Sequence, residues 1–222
     1  MKNYKLKISI IINLLTTILT IAACIIMYSG FKFMPGKDII LQATKVEMLK
    51  FFTVQSNIFV GIVSLVFAIK EIRLLKGKGK ELTVTDYVFK LMSTTAVGLT
   101  FLVVFAYLGP ITDGGLPVML KNSNLFFHLI IPVVSILNFV IFERTNKLSF
   151  KKSFYGIIPT VLYGIYYVSN ILIHAENGKV STVYDWYWFV QNGIWTAFIV
   201  VPMLLGITYV ISLIIWRTNK IK

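Results

Sequence analysis

Apolar residues in this chain come in long unbroken runs, not in the every-other or every-third-or-fourth rhythm of strands and surface helices. Crossing about 30 Å of hydrocarbon takes about 20 mostly apolar residues. Six runs meet that length, at 8–28, 51–69, 87–108, 125–142, 154–173 and 190–216. In lipid no water is present to pair backbone N–H and C=O groups, so runs of this kind are predicted to be helices. The connections between them are short and leave no separate soluble domain. The expected architecture is an all-α, polytopic bundle of six transmembrane helices, forming one domain over residues 1–222. No internal repeat is discernible.

Composition sharpens this picture. The chain is 57% hydrophobic and 14% charged, against about 45–50% and about 25% for soluble domains. A water-soluble globule and a disordered tail are excluded. A net charge of +13 would point to nucleic acid in a soluble protein. Here the basic residues lie between apolar runs, so no nucleic-acid partner is expected and the charge reports orientation. Sixteen of the Lys and Arg residues fall at the two termini and around the second and fourth connections, and six fall on the opposite side. By the positive-inside rule both termini are cytoplasmic, although Lys32, Lys37, Lys45 and Lys50 in the first connection run against it. Nineteen lysines against three arginines fit a low-GC bacterium, which places the chain in a bacterial plasma (inner) membrane.

Cys24 is the one cysteine and there are two histidines, so neither a disulfide nor a zinc site is expected. No cofactor is called for. Lysines leading into an apolar stretch that ends Ile21-Ala22-Ala23-Cys24 resemble a lipoprotein signal. The apolar run continues through Ile25, Ile26 and Met27, however, as a retained span does.

Polar groups inside hydrocarbon are costly, so their placement carries the functional signal. All nine carboxylates fall in connections or at span edges by this reading, which argues against an ion-coupled transporter. Thr53, Ser56 and Asn57 share one face of the second run at i, i+3 and i+4, extended by Gly61 and Ser64. Asn124, His128, Pro132 and Ser135 form a stripe on the fourth, and Tyr163, Tyr167, Asn170 and His174 on the fifth. Thr53 and His128 both enter from the outer side, roughly 3–6 Å below the same surface at ~1.5 Å per residue. His174 closes the fifth run on that side, with Asp185 and Trp186 following. Each residue also has a structural explanation. Buried hydroxyls such as Thr53 and Ser56 bond their own helix carbonyls, and His128 and Asn57 would serve as helix-packing residues. His174 reads as an interfacial or loop residue. Tyr28, Tyr107, Trp186 and Trp188 read as an aromatic belt.

Two stretches go beyond pattern. Phe51-Phe52-Thr53-Val54-Gln55-Ser56-Asn57-Ile58 resembles the threonine-bearing motif of the androgen-induced-gene membrane family. Phe127-His128-Leu129-Ile130-Ile131-Pro132, with Glu143 closing the run, resembles that family's histidine motif. Tyr163-Gly164-Ile165-Tyr166-Tyr167 through His174 is similar to its aromatic-rich fifth span. The resemblance covers nearly the whole chain. It implies a six-span intramembrane hydrolase of fatty-acid esters of hydroxy fatty acids or similar lipid esters, with Thr53 as nucleophile and His128 as its base. Gln55-Ser56-Asn57 is more polar than the eukaryotic counterpart, and a single histidine stands where some relatives have two. The bacterial branch of the family is the nearer likeness, and there the substrate is open.

That chemistry is physically sound. A threonine hydroxyl becomes a nucleophile when a base takes its proton, and neutral histidine suits the task. Asn57, Tyr167 and Asp185 are candidates to orient His128, and Asn170 and Ser56 to supply oxyanion donors. Membrane lipids are the expected substrate or ligand. The competing expectation is a non-catalytic lipid-binding or partner-organising membrane protein using the same pocket. A small-solute carrier ranks last.

Overall fold

The computed structural model describes residues 3–36 and 43–220. Lys2, Lys37 and Lys222 of the charge tally, and Asp38 of the carboxylates, lie outside these. The regular structure of the described residues is helical, apart from a single bridge pairing Glu176 with Lys179. The long helices are α1 (Asn3–Ser29), α2 (Phe52–Leu75), α3 (Val84–Ile111), α4 (Ser123–Phe142), α5 (Phe150–Ile173) and α6 (Ile194–Asn219). Five of them, all but α2, are long and apolar enough to cross a membrane, as a multi-pass membrane protein requires.

Local chemistry explains where these helices begin. Thr83 and Asp86 form a capping box at α3: the Thr83 hydroxyl accepts the Asp86 N–H at 3.2 Å and Asp86 accepts the Thr83 N–H at 2.8 Å. The opening turns of α5 are 3₁₀, and regular α geometry sets in at Ile158–Pro159, where a missing N–H costs nothing. Three π-helical turns interrupt the long helices, at Val104–Leu108 in α3 and at Phe126–Ile130 and Asn138–Phe142 in α4. Turns of that kind cluster at functional positions, and His128 lies in the second of them.

Hydrogen bonds between connections define the two ends of the bundle. At one end Asn122 accepts the backbone N–H groups of Phe33 and Met34, at 2.9 and 2.8 Å, and Tyr163 donates to the Lys50 carbonyl at 2.7 Å. At the other end Lys147 pairs with Glu81 at 2.9 Å, and Asn219 of α6 donates to the Phe139 and Glu143 carbonyls of α4. Two apolar clusters fill the interior. One centres on Phe51, Phe127, Tyr163, Tyr167 and Trp186, near the first end. The other centres on Phe67, Leu91, Phe139 and Trp216, near the second.

Two expectations are corrected here. Lys90, at the start of the third run, is expected among the charges at the membrane face, and Glu71 and Glu143 at span edges; the edge positions hold, but the side chains do not face water. Lys90 and Glu71 are instead 0% exposed and Glu143 1%. Lys90 Nζ lies 3.2 Å from Glu143 Oε1, and pairing of this kind is the usual condition for burying charge, while Glu71 brings a second carboxylate to the same place. Trp186, expected in the aromatic belt, is buried in the first cluster, its indole N–H donating to the Tyr163 hydroxyl at 3.0 Å.

Candidate functional site

Thr53 sits in the first turn of α2, where backbone N–H groups have no partner within the helix. The loop between α5 and α6 supplies one. The Tyr187 phenol oxygen accepts the Phe52 N–H at 2.8 Å. The Thr53 amide and hydroxyl lie close to the same oxygen. Burial pushes the Tyr187 hydroxyl up to about 12, against the opposing pull of those donors. Tyr187 therefore stays a neutral phenol at physiological pH.

Asp185 holds this loop in place. It accepts the Phe189 and Val190 N–H groups at 3.0 Å each, together with a short hydrogen bond from the Tyr167 hydroxyl. Asn170 donates to the Tyr184 carbonyl at 2.9 Å. His174 bonds the Asn170 carbonyl through Nδ1 at 2.9 Å and stacks on Tyr184 with ring centroids 3.7 Å apart. Asn170 and His174 thus anchor the loop.

Beneath Tyr187 lies a cavity of about 80 Å³, walled by α3, α5 and α6 and reached by Phe52 and Thr53 of α2. Its lining is aliphatic and aromatic, and the polar groups in it are Thr53, Thr100, Thr160 and the tyrosines 163, 167 and 187. An engineered apolar cavity that admits benzene is about 150 Å³, and this space is about half that size. A groove of about 210 Å³ between α3 and α6 adjoins it, sharing Val103, Phe189, Val200 and Leu204.

His128 is 3% exposed, and its Nδ1 lies 2.8 Å from the Met119 carbonyl. A carbonyl only accepts, so Nδ1 carries the proton and Nε2 keeps its lone pair, the tautomer a general base needs. The group that orients the ring is therefore the Met119 carbonyl and not Asn57, Tyr167 or Asp185. Asn57 acts on the backbone instead: its amide donates to the Thr53 carbonyl at 2.7 Å and to the Phe127 carbonyl at 3.1 Å, tying the threonine turn of α2 to the histidine turn of α4. Ser56 bonds the Thr53 carbonyl at 3.1 Å and the Thr100 hydroxyl at 3.0 Å. Among the described residues no hydrogen bond joins Thr53 to His128, and His128 does not line the cavity that Thr53 reaches.

The chain matches no family model, no curated protein and no solved structure. The geometry alone describes an alcohol at the polar end of an apolar slot, capped by a phenol, with an imidazole on the neighbouring helix. Tyr187 was not singled out in the sequence. Its one signal there is the aromatic run Trp186-Tyr187-Trp188-Phe189 directly after Asp185.

Proposed function

We propose that this chain is an intramembrane hydrolase of lipid esters in a bacterial plasma membrane, crossing it six times with both termini cytoplasmic. The lysine and arginine tally supports that orientation, and the 24-residue α2, packed along α1, supports the sixth span. The observation that carries the activity is Thr53 facing an apolar cavity that shares wall residues with a groove between α3 and α6. In this reading an acyl chain enters sideways from the lipid through the groove, and its ester comes to rest at Thr53. Tyr187 gives up the Phe52 and Thr53 amides, which are then free to hold the carbonyl oxygen at a helix N-terminus. Thr53 attacks the ester carbonyl and the alcohol leaves. Water then releases the fatty acid from the acyl-threonine. His128 is the base on the strength of the motif resemblance and its Nδ1–H tautomer.

A second reading, non-catalytic lipid binding, is favoured by one observation: no hydrogen bond links Thr53 to His128. Fatty-acid release from ester substrates by the purified protein in detergent separates the two. Hydrolysis predicts loss of release in Thr53→Ala and His128→Ala and partial retention in Thr53→Ser. Release that is unchanged in both alanine variants, or absent from the wild-type protein while lipid still co-purifies with it, overturns the hydrolase reading.

A further inference from the structure

At the end of the bundle opposite Thr53, charged and amide side chains meet in a buried cluster. Eighteen residues separate Thr53 from Glu71 along α2, about 27 Å at ~1.5 Å per residue. Lys90 Nζ of α3 lies 3.2 Å from Glu143 Oε1 at the end of α4 and donates to Asn13 of α1 and, at 3.2 Å, to Ser64 of α2. Glu71 faces the same group through Ser9 and Asn13. Tyr87 of α3 is a further titratable side chain near the two carboxylates, itself within reach of Glu81. Among the described residues α1 contributes hydrogen bonds from the neutral Ser9 and Asn13, and Asn219 of α6 holds the Glu143 backbone carbonyl.

Two quantities do not balance. The first is charge: two carboxylates face one ammonium, and all three are 0–1% exposed. Burying an uncompensated charge costs several kcal/mol, and a carboxyl so placed takes up a proton instead. The second is hydrogen. Ser9 Oγ lies 2.8 Å from Glu71 Oε1 and 3.2 Å from Glu143 Oε1, with one hydrogen for the two. Glu143 Oε2 and Asn138 Oδ1 are also buried without a donor, although the Asn138 amide nitrogen bonds both Asn13 and Glu143 inside the cluster. The cluster is short of hydrogen.

We propose that Glu71 holds one exchangeable proton here, making this end of the bundle a buried proton-binding site. The Glu71 O–H donates to Ser9 Oγ, and the Ser9 hydroxyl donates to Glu143 Oε1, which stays ionised against Lys90. Ser9 then has one partner for its own hydrogen, and the net charge of the cluster falls to zero. On release the proton passes to water and leaves the Glu71 carboxylate behind. A metal cation is the lesser fit, because the Lys90 ammonium already occupies the oxygens of Asn13, Ser64 and Glu143 that a hard cation would take.

Stabilisation by a protonated buried carboxyl is present at low pH and is lost as pH rises through the folded-state pKa. The wild-type melting temperature in detergent is therefore expected to fall from acidic to alkaline pH. Glu71→Gln, whose amide donates to Ser9 permanently, is expected to flatten that dependence and to melt above wild type at alkaline pH. Glu143→Gln removes the anion facing Lys90 and is expected to melt lower at every pH. Infrared spectra of the full-length protein at neutral pH are expected to show a protonated-carboxyl C=O band that Glu71→Gln lacks. A wild-type spectrum without the band overturns the proposal. So does a melting temperature that rises when sodium replaces choline at fixed pH, or a pH dependence that Glu71→Gln leaves unaltered. None of these readouts involves ester hydrolysis, so the proposal stands or falls apart from the function of Thr53.

Discussion

The phenol oxygen of Tyr187 rests on the Phe52 N–H at 2.8 Å, so a loop side chain occupies the open amide end of the helix that carries Thr53. The contact joins residues 135 positions apart. It closes one end of the cavity and satisfies a helix terminus that would otherwise be buried without a partner.

Tyr187→Phe keeps the ring and removes the acceptor. The stranded Phe52 amide is expected to cost about 1–3 kcal/mol, read as a lower melting temperature in detergent. The pH dependence has a definite sign. A phenol raised from 10.0 to about 12 contributes stability that is complete below pH 10 and lost as pH climbs through about 12. Wild-type stability is expected to fall more steeply than that of Tyr187→Phe over that interval. Parallel curves would show that Tyr187 does not titrate in the folded protein.

Gly164 of α5 lines the cavity, and a Cβ added there meets nothing within 4 Å. Gly164→Leu should therefore raise helix stability by about 0.5–1 kcal/mol while its side chain fills the space beside Thr53. The expected result is a protein that melts higher and yet loses both co-purifying lipid and ester hydrolysis. Full activity in this variant would mean that substrate does not use the cavity.

Asn57 links the backbones on either side of the site through its two amide hydrogens. In Asn57→Asp a carboxylate faces the Thr53 and Phe127 carbonyls with nothing to donate. The expected loss is larger than the about 1–3 kcal/mol of an unsatisfied neutral group, and larger than that of Asn57→Ala. Thermal melts of the two variants side by side check the order.

The contact between α5 and α6 depends on Gly156. A Cβ there would lie 2.6 Å from the Ser212 Cβ and 3.1 Å from the Thr95 hydroxyl. Gly156→Ala is expected to destabilise by about 1–3 kcal/mol through overpacking. Adding Ser212→Gly should recover most of the loss, because it removes the obstructing atoms. A double variant no better than the single one would place the strain elsewhere.

Much of the architecture was legible along the chain. The ends of α1, α3, α4, α5 and α6 fall within about five residues of the apolar runs, and α2 runs on past its run to Leu75, because an apolar run in lipid has few alternatives to a helix. The inward polar stripes were legible too: Ser56, Asn57, Asn124, His128 and Ser135 are all buried, as a 3.6-residue period requires. Which groups those stripes would meet was not legible. His128 finds the Met119 carbonyl, and Thr53 finds Tyr187, because pairing follows the rotation of each helix and the path of a loop, neither of which periodicity encodes.

By itself the sequence determined that the chain is helical, too apolar for water, and polar on selected helix faces, since these follow from local hydrophobicity and spacing. Only the tertiary structure decided that Lys90, Glu71 and Glu143 leave the surface for the interior. A charge at a helix end faces water or the bundle depending on what the neighbouring helices offer it, and Ser9 and Asn13, on a helix 58 or more positions away, make that offer.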